Sequence, residues 1–363
     1  MSGTSGDGVD ASIIKSNGIN QFEVIKNKYF EYDSKTFNSI HSLKKKINFL
    51  NDLKIFSKEI KEIERKLTLF HAKVVTDMVF DKKEIDLIGF HGQTIYHNSK
   101  EKISIQLGDG KLLNQLTKKN IIFDFRKNDL LNGGEGAPLT PLFHKLIVSQ
   151  LKINLPVCIL NIGGISNVTI INESSSPIEI YSKDLGPGNC LLDEWIRNNC
   201  DQKFDRDGQK AASGIVNEII FEQAQELYIN RKSKDKLSFD TGDFDISFSR
   251  GLSLEDGAAT LTAFSANVIG DALSLILNKE KLIKDILICG GGRKNKTLLK
   301  SISKYFDSNI NFKSIDEYGV NGDFVESQAF AFLAIRSYKK LPISFPSTTN
   351  CKTPSLGGQL ISN

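Results

Sequence analysis

The sequence predicts an α/β protein of two domains built on one duplicated plan, and three observations carry that expectation. The chain has 363 residues, which suits two domains of roughly 150 to 200 residues each. Short β-like runs alternate with amphipathic helical stretches along its length. The run from Pro156 to Ile171, PVCILNIGGISNVTII, reads strand, glycine-rich turn, strand, and repeats the plan of the opening SGTSGDGVDASII. The expected first domain covers residues 1–130, with the tail at about 339–363 packing back on it, and the second covers 131–338.

The elements follow in order. Eight of the first ten residues are Gly, Ser, Thr or Asp, which favour turns over element interiors. Strands are expected at Val9–Lys15 and Phe22–Tyr32. From Phe37 to Phe70 apolar residues recur at helical spacing, among them Ile40, Leu43, Ile47, Leu53, Ile60, Ile63 and Leu67, so this stretch is a core-facing helix. Three β-like runs come next, Ile85–Phe90, Ile103–Leu107 and Ile121–Phe125. Each closes on polar or glycine residues, where ligand chemistry gathers in α/β sheets. A strand at 178–182, helices at Leu191–Asn199, Ala211–Asn230 and Asp256–Leu277, a strand at Asp285–Cys289 and a helix at Asp323–Tyr338 complete the reading.

Composition narrows the function classes. A net charge of +4 is spread thinly, and Lys44-Lys45-Lys46 reads as a solvated helix face, not a nucleic-acid footprint. Five cysteines are scattered without a Cys-x-x-Cys pair, as expected for free thiols in a reducing cytoplasm. No secretory leader pattern is present, and no apolar run approaches bilayer length, so neither a membrane nor a nucleic acid is expected as partner.

Three glycine-rich turns carry the chemistry: Gly3–Gly8, Gly163–Asn167 and Gly290–Arg293. The first combines Gly3, Thr4, Ser5, Gly6, Asp7 and Gly8, an inventory of backbone N–H groups, hydroxyls and one carboxylate suited to phosphate and hydrated Mg²⁺, with Asp7 facing the metal. Two turns for the phosphate chain and a third, Gly290-Gly291-Gly292, for close backbone approach to an adenosine suggest a nucleotide lying between two lobes; a flexible strand-to-helix turn is the alternative for the third. No P-loop pattern and no Gly-x-Gly-x-x-Gly at a helix start are present. Asp184 ends a strand before Gly186-Pro187-Gly188-Asn189 and is either a backbone-aimed general base or a turn-forming aspartate. His91, Gln93, Arg126 and Asp129 follow strand ends, with Arg126 the natural anion clamp. His41, His71 and His144 fall within helical patterns in structural roles, and Asp193 and Glu194 cap or solvate a helix.

The segments MSGTSGDGVD, GFHGQT, FDFRKNDLLNGGEGAPLTP, LNIGGISNVT, DLGPGNCLLDEW and GLSLEDGAATLTAF together resemble the anhydro-N-acetylmuramic acid kinases, in order and over essentially the whole chain. The resemblance implies an actin-like ATPase fold, two ribonuclease H-like domains of duplicated topology with a nucleotide cleft. It implies use of ATP and Mg²⁺ to open the 1,6-anhydro ring of anhydro-N-acetylmuramic acid with water and phosphorylate O6, in a cytoplasmic homodimer. Position by position, Gly3 to Asp10, including Val9, fall on the family's phosphate segment. Gly163, Gly164 and Asn167 fall on its second phosphate turn, and Gly290, Gly291 and Gly292 on its adenosine turn. Asp184 falls on the catalytic aspartate, and His91, Gln93, Arg126 and Glu326 on residues similar to those lining the sugar pocket. Three departures stand out: a lead-in strand expected before Ser2, Gly6 in place of Leu, and Leu185 in place of Thr beside the catalytic aspartate, which is expected to remove a hydroxyl near the reacting water. A plain sugar kinase, and a nucleotide- or muropeptide-sensing module that binds without turnover, are the rival readings.

Overall fold

The computed structural model describes residues 1–79, 85–172, 179–230, 239 and 241–363. Contacts divide the chain into two compact units, Met1–Ile153 with Phe324–Asn363, and Asn154–Asp323. In the first, β1 (Gly8–Ser16) pairs antiparallel with β2 (Phe22–Glu31). Helices α1 (Ser34–Lys46), α2 (Asp52–Ile55) and α3 (Ser57–Val79) follow. Next come β3 (Leu87–Phe90), the antiparallel ribbon β4 (Gln93–Asn98) with β5 (Ile103–Leu107), α4 (Gly110–Thr117) and β6 (Asn120–Phe123), parallel to β3. Helices α5 (Lys127–Leu131) and α6 (Pro141–Gln150) end this first passage.

The single helix expected from Phe37 is broken because Asp52 captures the chain. Its carboxylate accepts from the backbone N–H of Asn48 (2.9 Å) and Phe49 (2.8 Å), which ends α1 after its three lysines and starts the next helix, as a capping carboxylate does. The apolar stripe still does its expected work, for Ile40, Leu43, Ile63 and Leu67 all lie in one buried cluster with Val9, Tyr32 and Ile95.

The second unit is built from β7 (Val157–Ile162), β8 (Ile165–Ile171), β9 (Ile180–Pro187), α7 (Cys190–Asn199), α8 (Gln209–Ser213), α9 (Glu218–Ile229), α10 (Leu254–Leu277), β10 (Asp285–Cys289), α11 (Lys296–Ser303) and β11 (Asn311–Ser314). Its sheet runs β11-β10-β7-β8-β9. Strands β7, β8 and β9 form an antiparallel meander, while β10 and β11 run parallel to β7. That order and direction are the ribonuclease H-like topology. All six residues of β7 are buried, as an apolar run covered on both faces requires. The helix expected at Ala211–Asn230 divides at Gly214, whose extended backbone ends α8, and Asn217 caps α9 by accepting from Ile220 N–H. Ile178, the expected start of a strand, lies outside the described residues, and that strand continues beyond Ser182 to Pro187.

The chain then returns to the first unit with α12 (Val325–Tyr338), α13 (Pro346–Thr349) and β12 (Gln359–Ile361), the last antiparallel to β6. The first unit thus repeats the parts of the second, an antiparallel pair (β1, β2) and a parallel pair (β3, β6). Between the described strands β1 and β3 there is no pairing. The backbone of Met1 exchanges two hydrogen bonds with Asp10 on that edge of β1, and α12 packs on both β1 and β3. The unit boundaries lie at 153/154 and 323/324, the first later and the second earlier than the sequence suggests. Helix α6 belongs to the first unit because Phe143 packs on Phe22 and Phe332, and α12 joins it through Ser12–Ser327 (2.6 Å) and its cover over β3.

Helix α10 corrects one expectation. It is long and apolar enough to cross a membrane by length and composition, with a mean hydropathy of 1.5 over its most apolar window. Yet 61% of that window is buried inside the protein, where Ile269 and Leu273 share one buried cluster with residues of β7 and β10, and Leu261 and Phe264 share another with Trp195.

Buried histidines set the acid response of the first unit. Burial brings His144 down to about 4 and is the main cause that brings His71 down to about 3. A histidine whose folded pKa lies below its unfolded value of about 6.5 contributes stability that is fully present above 6.5 and lost as pH falls through the folded pKa. Urea midpoints should therefore fall between pH 6.5 and 4, and His144→Leu should flatten that slope. An identical slope in the variant would show that His144 carries no linkage.

Candidate functional site

The functional side chains fall into two groups, one in each unit. In the first, the turn Gly3–Gly8 is closed by Gly6 N–H donating to Gly3 O (3.1 Å). Gly6 takes a left-handed backbone (φ +61°), which a leucine would occupy only with strain. The turn is held through its carbonyls. Gln93, fully buried, donates to Gly3 O (3.0 Å) and accepts from Ser2 Oγ (2.6 Å), and Tyr32 O–H reaches Ser2 Oγ at 3.3 Å. From α1, His41 Nε2–H donates to Ser5 O (2.9 Å) and Lys44 Nζ to Thr4 O (3.0 Å). Neither α1 contact was legible as functional: His41 reads as structural and Lys44 as part of a solvated lysine run.

Asp7 accepts from Ser5 Oγ at 2.5 Å. Tyr29, whose phenol is pushed up first by burial and then by the carboxylates of Asp7, Glu31 and Asp10, also bonds to Asp7. The half-exposed Asp7 carboxylate beside two hydroxyls is a hard-oxygen donor set. Among the described residues no group of three or more His, Cys, Asp or Glu side chains could cage a metal. One carboxylate with room for water and phosphate oxygens is the arrangement that suits Mg²⁺. Val9, by contrast, turns its side chain into the core, which leaves only its backbone to face a ligand.

The second cluster of the first unit surrounds Phe330 on α12. His91, at 5% exposure, places Nδ1 at 2.8 Å from Gly92 O and Nε2 at 2.9 Å from Arg126 Nη2. A carbonyl can only accept and a guanidinium can only donate, so the proton sits on Nδ1 and the ring is neutral. Burial first, and the Arg126 charge second, hold its pKa well below the ordinary range. Arg126 donates from Nη1 to Gly136 O (2.8 Å), and its guanidinium carbon lies 6.0 Å from the Phe330 ring centre, on which His91 also packs at 4.3 Å. Glu326 is one turn before Phe330 on the same helix, about 6 Å along its axis. The structure thus gathers His91 and Arg126 around Phe330, while Glu326 acts electrostatically on the Met1 amino group and Gln93 belongs to the first turn. Asp129, expected to face a ligand, is instead 1% exposed and enclosed by donors.

In the second unit, Asp184 lies within β9, not beyond a strand end. Pairing of Ser166 with Gly186 and of Asn167 with Asp184 leaves Leu185 as an extra residue. Such a bulge re-aims the adjacent side chain. Asp184, 5% exposed, accepts from Phe239 N–H at 2.9 Å. Leu185 packs in the hydrophobic core with Cys158, Leu160 and Val168, so it does not face the carboxylate's surroundings, and the expected loss of a hydroxyl near a reacting water does not arise. The carbonyls of Gly163 and Gly164 accept from Asn189 N–H (2.9 Å) and Gly188 N–H (2.8 Å) at the start of α7. Glu194 on α7 lines a separate cavity of about 350 Å³ with Trp195 and Arg250.

The third turn is also held by a side chain that sequence reasoning missed. Gly290 has φ +78°, and Arg293 donates to its carbonyl at 3.1 Å. The same guanidinium pairs with Asp316 (2.6 Å) and Asp323 (2.5 Å). Burial pushes the Asp316 carboxyl up, but hydrogen bonds from Arg293, Gly322 N–H and Ser314 outweigh it and bring it down to about 2. A side chain built on Gly291 would meet nothing within 4 Å, so a planar ligand has open access to that backbone.

The match to known proteins is broad. The family model described as anhydro-N-acetylmuramic acid kinase matches residues 1–362. A protein of that name from Pelagibacter ubique (strain HTCC1062) is 51% identical over 367 residues, 100% of this chain and 97% of its own length. One from Agrobacterium fabrum (strain C58) is 34% identical, covering 99% of this chain and 97% of its own. Among solved structures, an activator of the 2-hydroxyisocaproyl-CoA dehydratase from Clostridium difficile with bound ADPNP covers 52% of this chain and 63% of its own, with 12% identity and a TM-score of 0.30.

The hydrogen bonds at His91 set a spectroscopic expectation. ¹⁵N NMR of ring-labelled protein should show a neutral, Nδ1-protonated histidine that stays neutral at pH values where an exposed histidine is protonated. An Nε2-protonated or titrating His91 would mean that Arg126 is not oriented by it.

Proposed function

This chain belongs to the anhydro-N-acetylmuramic acid kinase family, and on that footing we propose how its residues act. The enzyme is an ATP-dependent kinase of cell-wall recycling with the actin-like fold of that family. It opens the 1,6-anhydro ring of anhydro-N-acetylmuramic acid with water and phosphorylates O6, giving N-acetylmuramic acid 6-phosphate and ADP.

In this proposal Asp184 is the general base. It takes a proton from a water molecule whose oxygen attacks the anomeric carbon from the face opposite the bridging oxygen, as in an inverting glycosidase. The C1–O6 bond breaks and its electron pair goes to O6. The freed O6 forms a bond to the γ-phosphorus of ATP while the bond from that phosphorus to the β,γ-bridging oxygen breaks. No separate general acid is needed, because phosphorus takes the place of the proton. The observation that carries this reading is a single buried carboxylate fixed by a strand bulge and by the N–H of Phe239, which is the preorganisation a base requires.

Arg126, with its planar fork fixed by Gly136 O and His91, is the clamp for the lactyl carboxylate, and Glu326 and His91 complete the sugar's surroundings. Gln93 acts on the nucleotide side by fixing Gly3 O. The turn Gly3–Asp10 and the backbone at Gly163, Gly164 and Asn167 hold the phosphates, and Gly290–Gly292 approaches the adenosine. Mg²⁺, held through Asp7 and its waters, would neutralise phosphate charge when bound. A cytoplasmic location and a homodimer belong to the same proposal and rest on the family resemblance.

Asp184→Asn should lower kcat at least 10²-fold, the usual scale for loss of a positioned general base, while the Kd for ATP by calorimetry stays within about twofold. Sugar phosphorylation at the wild-type rate in this variant would show that another group activates the water.

A further inference from the structure

Among the described residues of the first unit, Asp129 is the most completely enclosed carboxylate, and the proposed mechanism does not use it. It is 1% exposed, and its partners form one connected set. Oδ2 accepts from Gly136 N–H at 2.7 Å. Oδ1 accepts from Thr349 Oγ1 at 2.6 Å and from Ser344 Oγ. A Cβ added at Gly134 would strike this carboxylate, and Gly134 N–H donates to the Asp129 backbone carbonyl at 2.9 Å. The loop from Asp129 to Gly136 is thus wrapped around the side chain of its own first residue.

The far side of that loop carries the next link. Gly136 gives its N–H to Asp129 and its carbonyl to Arg126 Nη1 at 2.8 Å, so one peptide-bonded residue joins the carboxylate to the guanidinium. Besides the two hydroxyls on Oδ1, the segment at 344–349 is tied to the same loop by Glu135 N–H donating to Thr349 O (2.7 Å). A buried carboxylate is costly unless every lone pair is engaged. Here that requirement fixes the loop, and the loop fixes one edge of the Arg126 fork while His91 fixes the other.

We propose that Asp129 is a positioning residue for the sugar carboxylate. With the Ser344 and Thr349 hydroxyls it sets the Gly136 carbonyl that aims Arg126, and it thereby couples the C-terminal segment to sugar affinity. The inference rests on Arg126 being the anion clamp. A carboxylate ligand engaged bidentately demands a planar fork held at both edges. Loosening one edge costs affinity for the sugar and leaves the nucleotide untouched.

The experiment is a kinetic double-mutant cycle on the full chain with ATP and anhydro-N-acetylmuramic acid. Asp129→Asn is expected to raise the sugar KM about tenfold and Thr349→Val severalfold, with the ATP KM within twofold of wild type. In an Arg126→Lys background, whose own sugar KM is raised, neither change should raise it further. Thr349→Val and Ser344→Ala keep the test open if Asp129→Asn does not fold, because both preserve the carboxylate. Equal rises in both KM values, an unchanged sugar KM, or full additivity with Arg126→Lys would overturn the positioning role. An Arg126→Lys enzyme with a wild-type sugar KM would instead overturn the anion-clamp reading beneath it.

Discussion

Each of the three glycine turns is held by its carbonyl oxygens, and the rest of the site depends on that. Glycine has no side chain to pack and loses the most conformational freedom on folding, so a glycine turn keeps one shape only if something outside it supplies hydrogen bonds. Gln93, Lys44 and His41 do this at Gly3, Thr4 and Ser5. The backbone at the start of α7 does it at Gly163 and Gly164, and Arg293 does it at Gly290. The donors differ in kind, from a buried amide to a helix start to a guanidinium in an ion-pair network, but the physical task is the same. Arg126 repeats the theme, since a loop carbonyl, Gly136 O, fixes its fork.

This explains which parts of the molecule were legible in the sequence. The turns themselves announce their backbone needs in their glycines, and the apolar stripes of α1, α3 and α10 announce a core. The duplicated plan was visible because the strand, turn, strand pattern recurs, and the sheet order β11-β10-β7-β8-β9 gives it the ribonuclease H-like form. The supports were not legible. Arg293 follows its turn by one residue but reaches its partners at Asp316 and Asp323 by folding, and Gln93 is some 90 residues from Gly3. Long-range pairing of this kind leaves no periodicity to read.

Two local readings failed. The stretch from Phe37 to Phe70 reads as one helix, whereas the Asp52 carboxylate captures two amides and breaks it. Leu185 reads as a neighbour of the reacting water, but it lies on the core face of the strand, the face of Lys183 and its partner Val168, while Asp184, on the face of Asn167, meets Phe239 N–H. Successive side chains of a strand take opposite faces, so a core leucine and a buried carboxylate stand side by side.

Within each unit, then, polar side chains fix backbone, and backbone fixes the few groups assigned to chemistry. The central claim built on this is that one carboxylate, Asp184, delivers water to the anomeric carbon from the side opposite the bridging oxygen. The most direct test is ¹H NMR of the first turnovers, recorded before mutarotation equilibrates the product. The account predicts that N-acetylmuramic acid 6-phosphate first appears as the anomer with inverted configuration at C1. Initial formation of the retained anomer would contradict it, because that outcome requires a second nucleophile on the opposite face or attack from the side of the departing oxygen.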